Sequence, residues 1–169
     1  MTRFDEMKSA ARDGLKRRRE RDRNAREFIR TLLEGFASYC GIPNGRMAYF
    51  RWDEKAEAGN TIFDENQVLA NVVEFDDERD RWSVGIDIMF SSPGVSPEIY
   101  ATFGLFIAEK EGEFSVAVGP DSPRIVDLTV QTQREDFYGT LVQKIADAFK
   151  KDTRSEARKI GFGIAWSAS

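Results

Sequence analysis

The chain has 169 residues, of which 41% are hydrophobic and 12% aromatic, and this apolar content is enough for one folded domain and excludes a disordered chain. One cysteine and no histidine exclude an internal disulfide, zinc sites built from thiolates or imidazoles, and catalytic sites that depend on histidine. The net charge of −4 is unevenly distributed, because the first 30 residues hold 11 Lys and Arg against 6 Asp and Glu. A basic segment is therefore attached to an acidic remainder.

Residues 2–24 are dominated by charged side chains, and their large apolar residues are Phe4, Met7 and Leu15. Arg, Lys, Glu and Ala are good helix formers, although no apolar stripe indicates how such a helix would be held on a core. We therefore divide the chain into residues 1–24, a charged, arginine-rich arm or helix extension, and residues 25–169, a single α+β domain.

The pattern changes at Ala25. Apolar residues then recur at intervals of three and four, which predicts an amphipathic helix over residues 25–39. Gly41 is expected to end this helix, because glycine readily adopts the left-handed conformation that is common at helix C-termini. The Asn44-Gly45 pair that follows is typical of a turn.

From residue 46 onward the apolar residues alternate with a period of two, which is typical of β-strands. Predicted strands cover residues 46–52, 67–75, 81–91, 98–108 and 113–118, with residues 124–130 as either a sixth strand or an extended lead-in. Residues 98–108 are apolar on both faces, so we expect this strand to be central in the sheet. The most regular strand, residues 81–91, should bury one face formed by Trp82, Val84, Ile86, Ile88 and Phe90.

A second helix is predicted towards the C-terminal end, where Thr132 and Glu135 fit a capping box and a four-residue repeat of apolar side chains continues to about Lys151. A last strand follows at residues 160–166. Because most connections between the strands are short, we expect antiparallel pairing. The predicted fold is α+β, with an antiparallel sheet of about five to seven strands and one N-terminal and one C-terminal amphipathic helix. We expect the C-terminal helix across one face of the sheet and the N-terminal helix over an end or the opposite face.

The segment with an unusual charge pattern lies at residues 16–23. Its candidate partner- or nucleic-acid-binding residues are Lys16, Arg17, Arg18, Arg19, Arg21 and Arg23. Arginine suits bidentate contacts with phosphate, and such contacts would give salt-dependent binding of nucleic acid. The alternative is a solvated helix extension in which Glu20 and Asp22 neutralise part of the cluster.

Acidic side chains also form groups, at Asp53-Glu54, at Asp64-Glu65 and within residues 76–80. The last group lacks the ligand spacing of a calcium-binding loop, and charged residues in a hairpin turn are expected for solubility alone. Asp87, Glu109 and Lys110 are residue types that surround the metal in nucleases, but no spacing links them to one another. We therefore assign no catalytic residue, no metal site and no cofactor.

These observations favour a non-enzymatic binding protein, of the adaptor, chaperone, immunity or inhibitor type, that contacts a protein partner. One alternative is a nucleic-acid-associated protein that uses the basic arm. A second is a small-ligand-binding domain, or a histidine-independent enzyme, with a pocket between the sheet and the C-terminal helix. A homodimer is a further expectation, because residues 67–75 and 25–39 both offer surfaces for a second copy. The sequence shows no signal peptide and no long apolar run, which favours a cytoplasmic location without a membrane span.

Overall fold

A long N-terminal helix and an antiparallel sheet make up most of the fold. The structure, a computed structural model, describes residues 2–52, 67–92, 94, 98–151 and, as backbone only, 162–166. The helices in this part of the chain are α1 (Arg3–Cys40), α2 (Leu69–Val72) and α3 (Gln131–Lys150). The strands are β1 (Met47–Phe50), β2 (Glu74–Asp76), β3 (Arg81–Met89), β4 (Ile99–Lys110), β5 (Glu113–Val118), β6 (Arg124–Ile125) and β7 (Phe162–Trp166). The predicted α+β class, with a helix before and a helix after most of an antiparallel sheet, is confirmed.

Strands β3 and β4 form the centre of the sheet. They pair antiparallel from Trp82 opposite Ile107 to Met89 opposite Tyr100. The other edge of β3 is shared by β1 and β2, and the other edge of β4 is shared by β5 and β7, with β6 outside β5. The predicted central position of residues 98–108 is confirmed, because β4 has neighbours on both edges and is buried on both faces between residues 101 and 107.

Helices α1 and α3 both pack on one face of the sheet, where alternate residues of β3 and β4 meet them. The sheet contributes Trp82, Val84, Ile86, Ile88, Ala101, Phe103, Leu105 and Ile107 to this core. Helix α1 contributes Ala25, Phe28, Ile29, Leu32, Leu33 and Phe36, and α3 contributes Phe137, Tyr138, Leu141, Ile145 and Ala148. The expectation that the N-terminal helix covers an end or the opposite face is wrong. Where the two helices meet on this face, Gly35 has no side chain, and the ring of Tyr138 lies against α1 at this position.

The ends of α1 follow local hydrogen-bonding rules. At its start, the Thr2 hydroxyl accepts from the backbone N–H of Asp5 at 3.2 Å, and the Asp5 carboxylate accepts from the backbone N–H of Thr2 at 3.0 Å, which is a capping box. At its end, Gly41 has a φ of 65°, so the predicted glycine stop is confirmed. Between these ends the helix is continuous, and residues 3–24 belong to the same helix as residues 25–39.

Residues 67–75 do not form the predicted strand. Leu69–Val72 make one helical turn, α2, and the strand β2 begins at Glu74. Val72 and Val73 are buried in the core, so a single turn places two consecutive apolar side chains inside, which an extended strand would point to opposite faces. Burial therefore outweighs the β-propensity of this run.

The predicted capping box at Thr132 is also wrong. A turn in which the N–H of Val130 donates to the carbonyl oxygen of Asp127 places Val130 at the N-cap, and α3 begins at Gln131 without a side-chain cap. Thr132 therefore lies inside the first turn of the helix. The length of α3 agrees with the predicted end near Lys151.

Other boundaries are adjusted at the ends of strands. Trp82, Val84, Ile86 and Ile88 form the predicted buried face of β3, but Phe90 follows the last residue of the strand and is 52% exposed. Of residues 124–130, Arg124 and Ile125 form strand β6 and the rest lead into α3. Asp53-Glu54, Asp64-Glu65 and residues 152–159 lie outside the described residues.

Candidate binding site on the N-terminal helix

Helix α1 has a buried half and an exposed half. Its buried side chains all lie between Ala25 and Phe36. Among the large apolar residues of the first half, Phe4 is 68% exposed, Met7 63% and Leu15 50%. A helix of 38 residues is about 57 Å long at 1.5 Å per residue, so roughly half of that length extends past the core. We call residues 3–17 of α1 the projecting segment.

No hydrogen bond or ion pair joins residues 3–16 to any other described element of the chain. Their backbone bonds are those of the helix itself and of its capping box. Since an isolated helix of this length is marginal in water, continuity with the packed half of α1 supports the helical form of the projecting segment.

Arg21 holds α1 at the rim of the sheet. Its Nε donates to Glu109 Oε2 at 2.7 Å and its Nη2 to Asp80 Oδ1 at 3.0 Å, so it contacts both the β2–β3 turn and the end of β4. The guanidinium carbon lies 5.2 Å from the centre of the Trp82 ring, within the range of a cation–π contact. Burial opposes the charge of Arg21, but the hydrogen bonds to Glu109 and Asp80 outweigh it and raise the pKa of the guanidinium.

Asp22 forms a second contact beside Arg21. Its carboxylate accepts from Trp82 Nε1 at 2.9 Å and from Arg26 Nε at 2.8 Å, and Arg26 also donates to the carbonyl oxygen of Ala70 at 2.8 Å. Burial acts to raise the pKa of Asp22, but the hydrogen bonds from Arg26 and Trp82 act in the opposite direction and lower it below its usual value. These contacts fix the direction in which the projecting segment leaves the body.

The candidate residues of the basic cluster separate into two groups. Arg18 pairs with Asp77 at 2.9 Å and Arg21 pairs with Asp80 and Glu109, so both contact acidic side chains of the body. Within the described part of the chain, no ion pair involves the exposed side chains of Lys16, Arg17, Arg19 and Arg23. The cluster therefore offers part of its charge to a partner and uses the rest to attach the helix.

Three of these exposed residues form a row together with a residue that sequence analysis did not select. Arg12, Lys16, Arg19 and Arg23 are spaced by four, three and four residues, so they lie along one face of α1. Leu15 and Glu20 lie beside this row and line the same shallow groove of about 420 Å³. The row spans about 17 Å along the helix axis at 1.5 Å per residue.

The sequence also contained a signal for the exposed apolar residues. Phe4, Met7, Ala11 and Gly14 are spaced by three, four and three residues, in phase with the apolar stripe that begins at Ala25. The two small residues and the many charged ones between them hide this repeat. The rim contacts of Trp82, Asp80 and Glu109 had no sequence signal, because they depend on how distant elements pack.

The structure does not bring Asp87, Glu109 and Lys110 together into a nuclease-like group. Asp87 is buried and its carboxylate accepts from the hydroxyl of Thr102 at 2.6 Å. Asp87 lies opposite Thr102, whereas Glu109 is seven residues further along β4 and pairs with Arg21. An odd separation places the side chains of Thr102 and Glu109 on opposite faces of the sheet, and Lys110 is at the exposed hairpin end.

The acidic turn at residues 76–80 is occupied by contacts within the chain. Asp77 and Asp80 pair with Arg18 and Arg21, and the carboxylate of Asp76 accepts from the backbone N–H groups of Glu78 and Arg79. Among the described residues, no group of three or more potential ligands is arranged to hold a metal ion. The carboxylates of this turn therefore bind arginines of α1.

The layer between the sheet and α3 is filled with side chains. Phe137, Tyr138 and Leu141 are each at most 3% exposed and belong to the main core. A groove of about 690 Å³, open to solvent, lies between α3 and the loop after β5, where Asp121 faces Asp136 and Gln143.

Among the residues described, no helix combines the length and the apolar character that a bilayer span requires. In comparisons with known proteins, no family model, no curated protein and no solved structure matches this chain.

Proposed function

We propose that the protein is a non-enzymatic binding protein that contacts a protein partner through the projecting segment of α1. The observation that carries this proposal is the exposure of Phe4 and Met7 on a helix whose base is fixed to the body by Arg21 and Asp22. Apolar side chains exposed together on one side of an ordered element are typical of protein interaction sites.

The rigid base favours binding because it reduces the entropy lost when a partner is bound. A segment that is already helical, and already oriented, needs less ordering than a flexible arm. Partner contacts along residues 3–17 would add apolar burial at the centre and charged contacts at the periphery, which is the usual organisation of a protein interface.

The test uses the full chain, tagged at its C-terminus, in an extract of cells that make it. We expect a protein that stays bound at about 0.5 M salt, because salt screens charged contacts much more than a packed apolar interface. In the double variant Phe4→Ser, Met7→Ser, the partner protein should no longer be retained. Ile125→Ser is the control, because Ile125 is 59% exposed on β6, the last strand in the sheet order, and it should leave the partner bound.

Binding of nucleic acid is a second candidate function, favoured by the row Arg12, Lys16, Arg19 and Arg23. Such a row could neutralise several phosphates, and its affinity would fall steeply with salt. Fluorescence anisotropy with single- and double-stranded probes over a salt series tests it. Arg19→Glu with Arg23→Glu should abolish binding if this candidate is correct, whereas Phe4→Ser with Met7→Ser should leave it intact. No binding at low salt would eliminate it.

A further inference from the structure

The exposed apolar side of α1 follows a heptad pattern. Phe4, Met7, Ala11 and Gly14 take alternating steps of three and four residues, and the same alternation continues through Arg18 and Arg21 to the buried stripe. Arg18 and Arg21 are charged, so the small and apolar part of this spacing covers two heptads, and such a helix face is suited to packing lengthwise against a second helix. In the buried half the sheet takes that place, but beyond the rim at Arg21 the side chains of Phe4, Met7 and Ala11 are exposed and Gly14 is half-buried. We call Phe4, Met7, Ala11 and Gly14 the exposed seam.

The C-terminal half of the exposed seam carries small residues. Ala11 is small, and a side-chain carbon added at Gly14 would meet no atom of the other described elements within 4 Å. Small residues let a second helix approach closely, and the space beside them can receive a large side chain from that helix. Phe4 and Met7 then offer large apolar surfaces one turn further towards the N-terminus.

The charges beside the exposed seam all have the same sign. In heptad terms the positions that flank it on this segment are occupied by Arg3, Lys8, Ala10, Leu15 and Arg17. The acidic residues of the segment, Asp5, Glu6 and Asp13, fall on the side away from the seam. Because flanking charges select the partner helix, this arrangement favours a partner with acidic flanks.

We propose that the exposed seam binds an amphipathic helix of another protein, with large apolar residues along its seam and Glu or Asp at its flanking positions. This inference rests on the proposed function and names the chemistry of its partner. A second copy of this chain is a poor occupant, because a parallel pair would set Arg3 against the partner copy's Lys8, and an antiparallel pair would set basic flanks against basic flanks. Such repulsion disfavours pairing.

The probe is a synthetic helix of about three heptads, with leucine along its seam, glutamate at the flanking positions and a fluorophore at one end. Two comparison peptides carry lysine at the flanking positions, or the acidic composition in shuffled order. We expect the acidic helix to bind the full chain at least about tenfold more tightly than either comparison peptide, a difference measured by anisotropy.

Two variants with the same charge change locate the contact. Met7→Glu places a carboxylate in the exposed seam, and Ser9→Glu places one on the opposite side of the same helix, two residues away. We expect Met7→Glu to lower the affinity for the acidic helix at least about tenfold. Ser9→Glu should lower this affinity much less. Circular dichroism of both variants checks that α1 remains helical.

Besides a failure of the acidic peptide to bind, three results would overturn this inference. The first is equal binding of the ordered and shuffled acidic peptides. The second is an equal effect of Met7→Glu and Ser9→Glu on binding. Either result would mean that the peptide is held by charge alone and does not pack on the exposed seam. The third is a dimer of the full chain in sedimentation that Met7→Glu dissociates, which would make a second copy the occupant. If the peptide fails while a salt-resistant protein still depends on Phe4 and Met7 in the extract, the inference fails and the proposed function stands.

Discussion

Arg21 and Arg19 are close in the sequence but have different surroundings. Arg21 faces the rim of the sheet, where its side chain is 34% exposed and contacts two carboxylates. Arg19 is exposed on the other side of α1, with no ion pair among the described residues. A run of basic residues on a helix therefore cannot be treated as one site, because the 100° step per residue distributes its members over different faces.

Substituting these two arginines tests the division of roles. Arg21→Ala should lower the free energy of unfolding by about 1–2 kcal/mol, since it removes two charged hydrogen bonds at a partly buried position. Arg19→Ala should change it by less than about 0.5 kcal/mol, as expected for an exposed side chain that pairs with none of the described residues. Urea denaturation measures both. Equal effects of the two substitutions would contradict the assignment of Arg21 as the attachment at the rim.

Asp22 should make the stability of the fold depend on acid pH. Its pKa is lowered in the folded chain from an ordinary value of 3.8, so its contribution is fully present above that value and is lost as pH falls through the lower folded value. Asp22→Asn keeps an acceptor for Trp82 but loses the charge that attracts Arg26. We expect the stability difference between the wild type and Asp22→Asn, measured by urea denaturation, to be largest at pH 7 and to shrink as the pH falls below the ordinary pKa of 3.8. A difference that does not shrink in acid would show that the carboxylate charge is not what matters.

At the scale of elements, the packing of α1 against α3 depends on one glycine. A side-chain carbon on Gly35 would collide with the hydroxyl of Tyr138, and that hydroxyl is itself buried without a hydrogen-bond partner among the described residues. Phe36 and Tyr39 of α1 flank the same tyrosine, with ring centres 5.8 and 5.5 Å from it. The tyrosine ring is thus enclosed and cannot move aside easily.

Two glycine substitutions in α1 should therefore have opposite signs. Gly35→Ala should lower the free energy of unfolding by about 1–3 kcal/mol, because the collision with Tyr138 exceeds the gain in helix propensity. The methyl group of Gly14→Ala would meet no other described element within 4 Å, so this substitution should raise the free energy of unfolding by up to about 1 kcal/mol. Thermal and urea unfolding measure both. A stabilising Gly35→Ala would mean that the two helices are not in close contact at this point.

Tyr138 provides an independent check of the same contact. Tyr138→Phe removes a buried hydroxyl that lacks a partner, so we expect no loss of stability, or a small gain. In the presence of Gly35→Ala it should restore part of the lost free energy, because the colliding oxygen is gone. A double-mutant cycle measures this coupling. Strict additivity of the two substitutions would contradict the contact.

The elements that could be predicted from the sequence are those with long periodic patterns. The stripe after Ala25, the alternation along β3 and the apolar run of β4 each repeat over several turns or strand residues, so local pattern and burial agree. Short elements failed where burial decided the outcome. Val72 and Val73 take one helical turn to reach the core, and Val130 becomes the N-cap of α3 because a turn at Asp127 places it there.

The candidate site was predictable in part for a similar reason. Its basic residues are visible as a run in the sequence, but their division between Arg18 and Arg21 on one side and Lys16, Arg19 and Arg23 on the other depends on where Asp77, Asp80 and Glu109 lie in the fold. These carboxylates are 59 and 88 residues away along the chain. No local pattern contains contacts of that range.

At the scale of the whole molecule, the fold separates a body that carries the core from a segment that carries exposed side chains. The core residues of α1 all lie at or after Ala25. The three tryptophans also follow this position in the sequence. The charge follows the same division, with a basic excess in the first 30 residues and a net charge of −4 for the whole chain. The projecting segment is thus chemically distinct from the surface that it leaves.

Deleting residues 2–16 should leave the body folded. Because these residues make no hydrogen bond or ion pair with other described elements, we expect the free energy of unfolding to change by less than about 1 kcal/mol. Tryptophan fluorescence during urea denaturation measures it, and circular dichroism should report the loss of about four turns of helix. A loss of more than about 2 kcal/mol would contradict the division between body and projecting segment.

Site-specific photo-crosslinking in cells that make the protein tests the central claim, that the projecting segment is a surface for a protein partner. A benzophenone amino acid replaces Met7 or Ala11 on the exposed seam, Ser9 on the opposite side of α1, or Ile125 on β6. We predict adducts with the same protein from Met7 and Ala11, weaker ones from Ser9 and none from Ile125. The account would be contradicted if no protein adduct formed along α1, or if adducts formed from Ile125 alone.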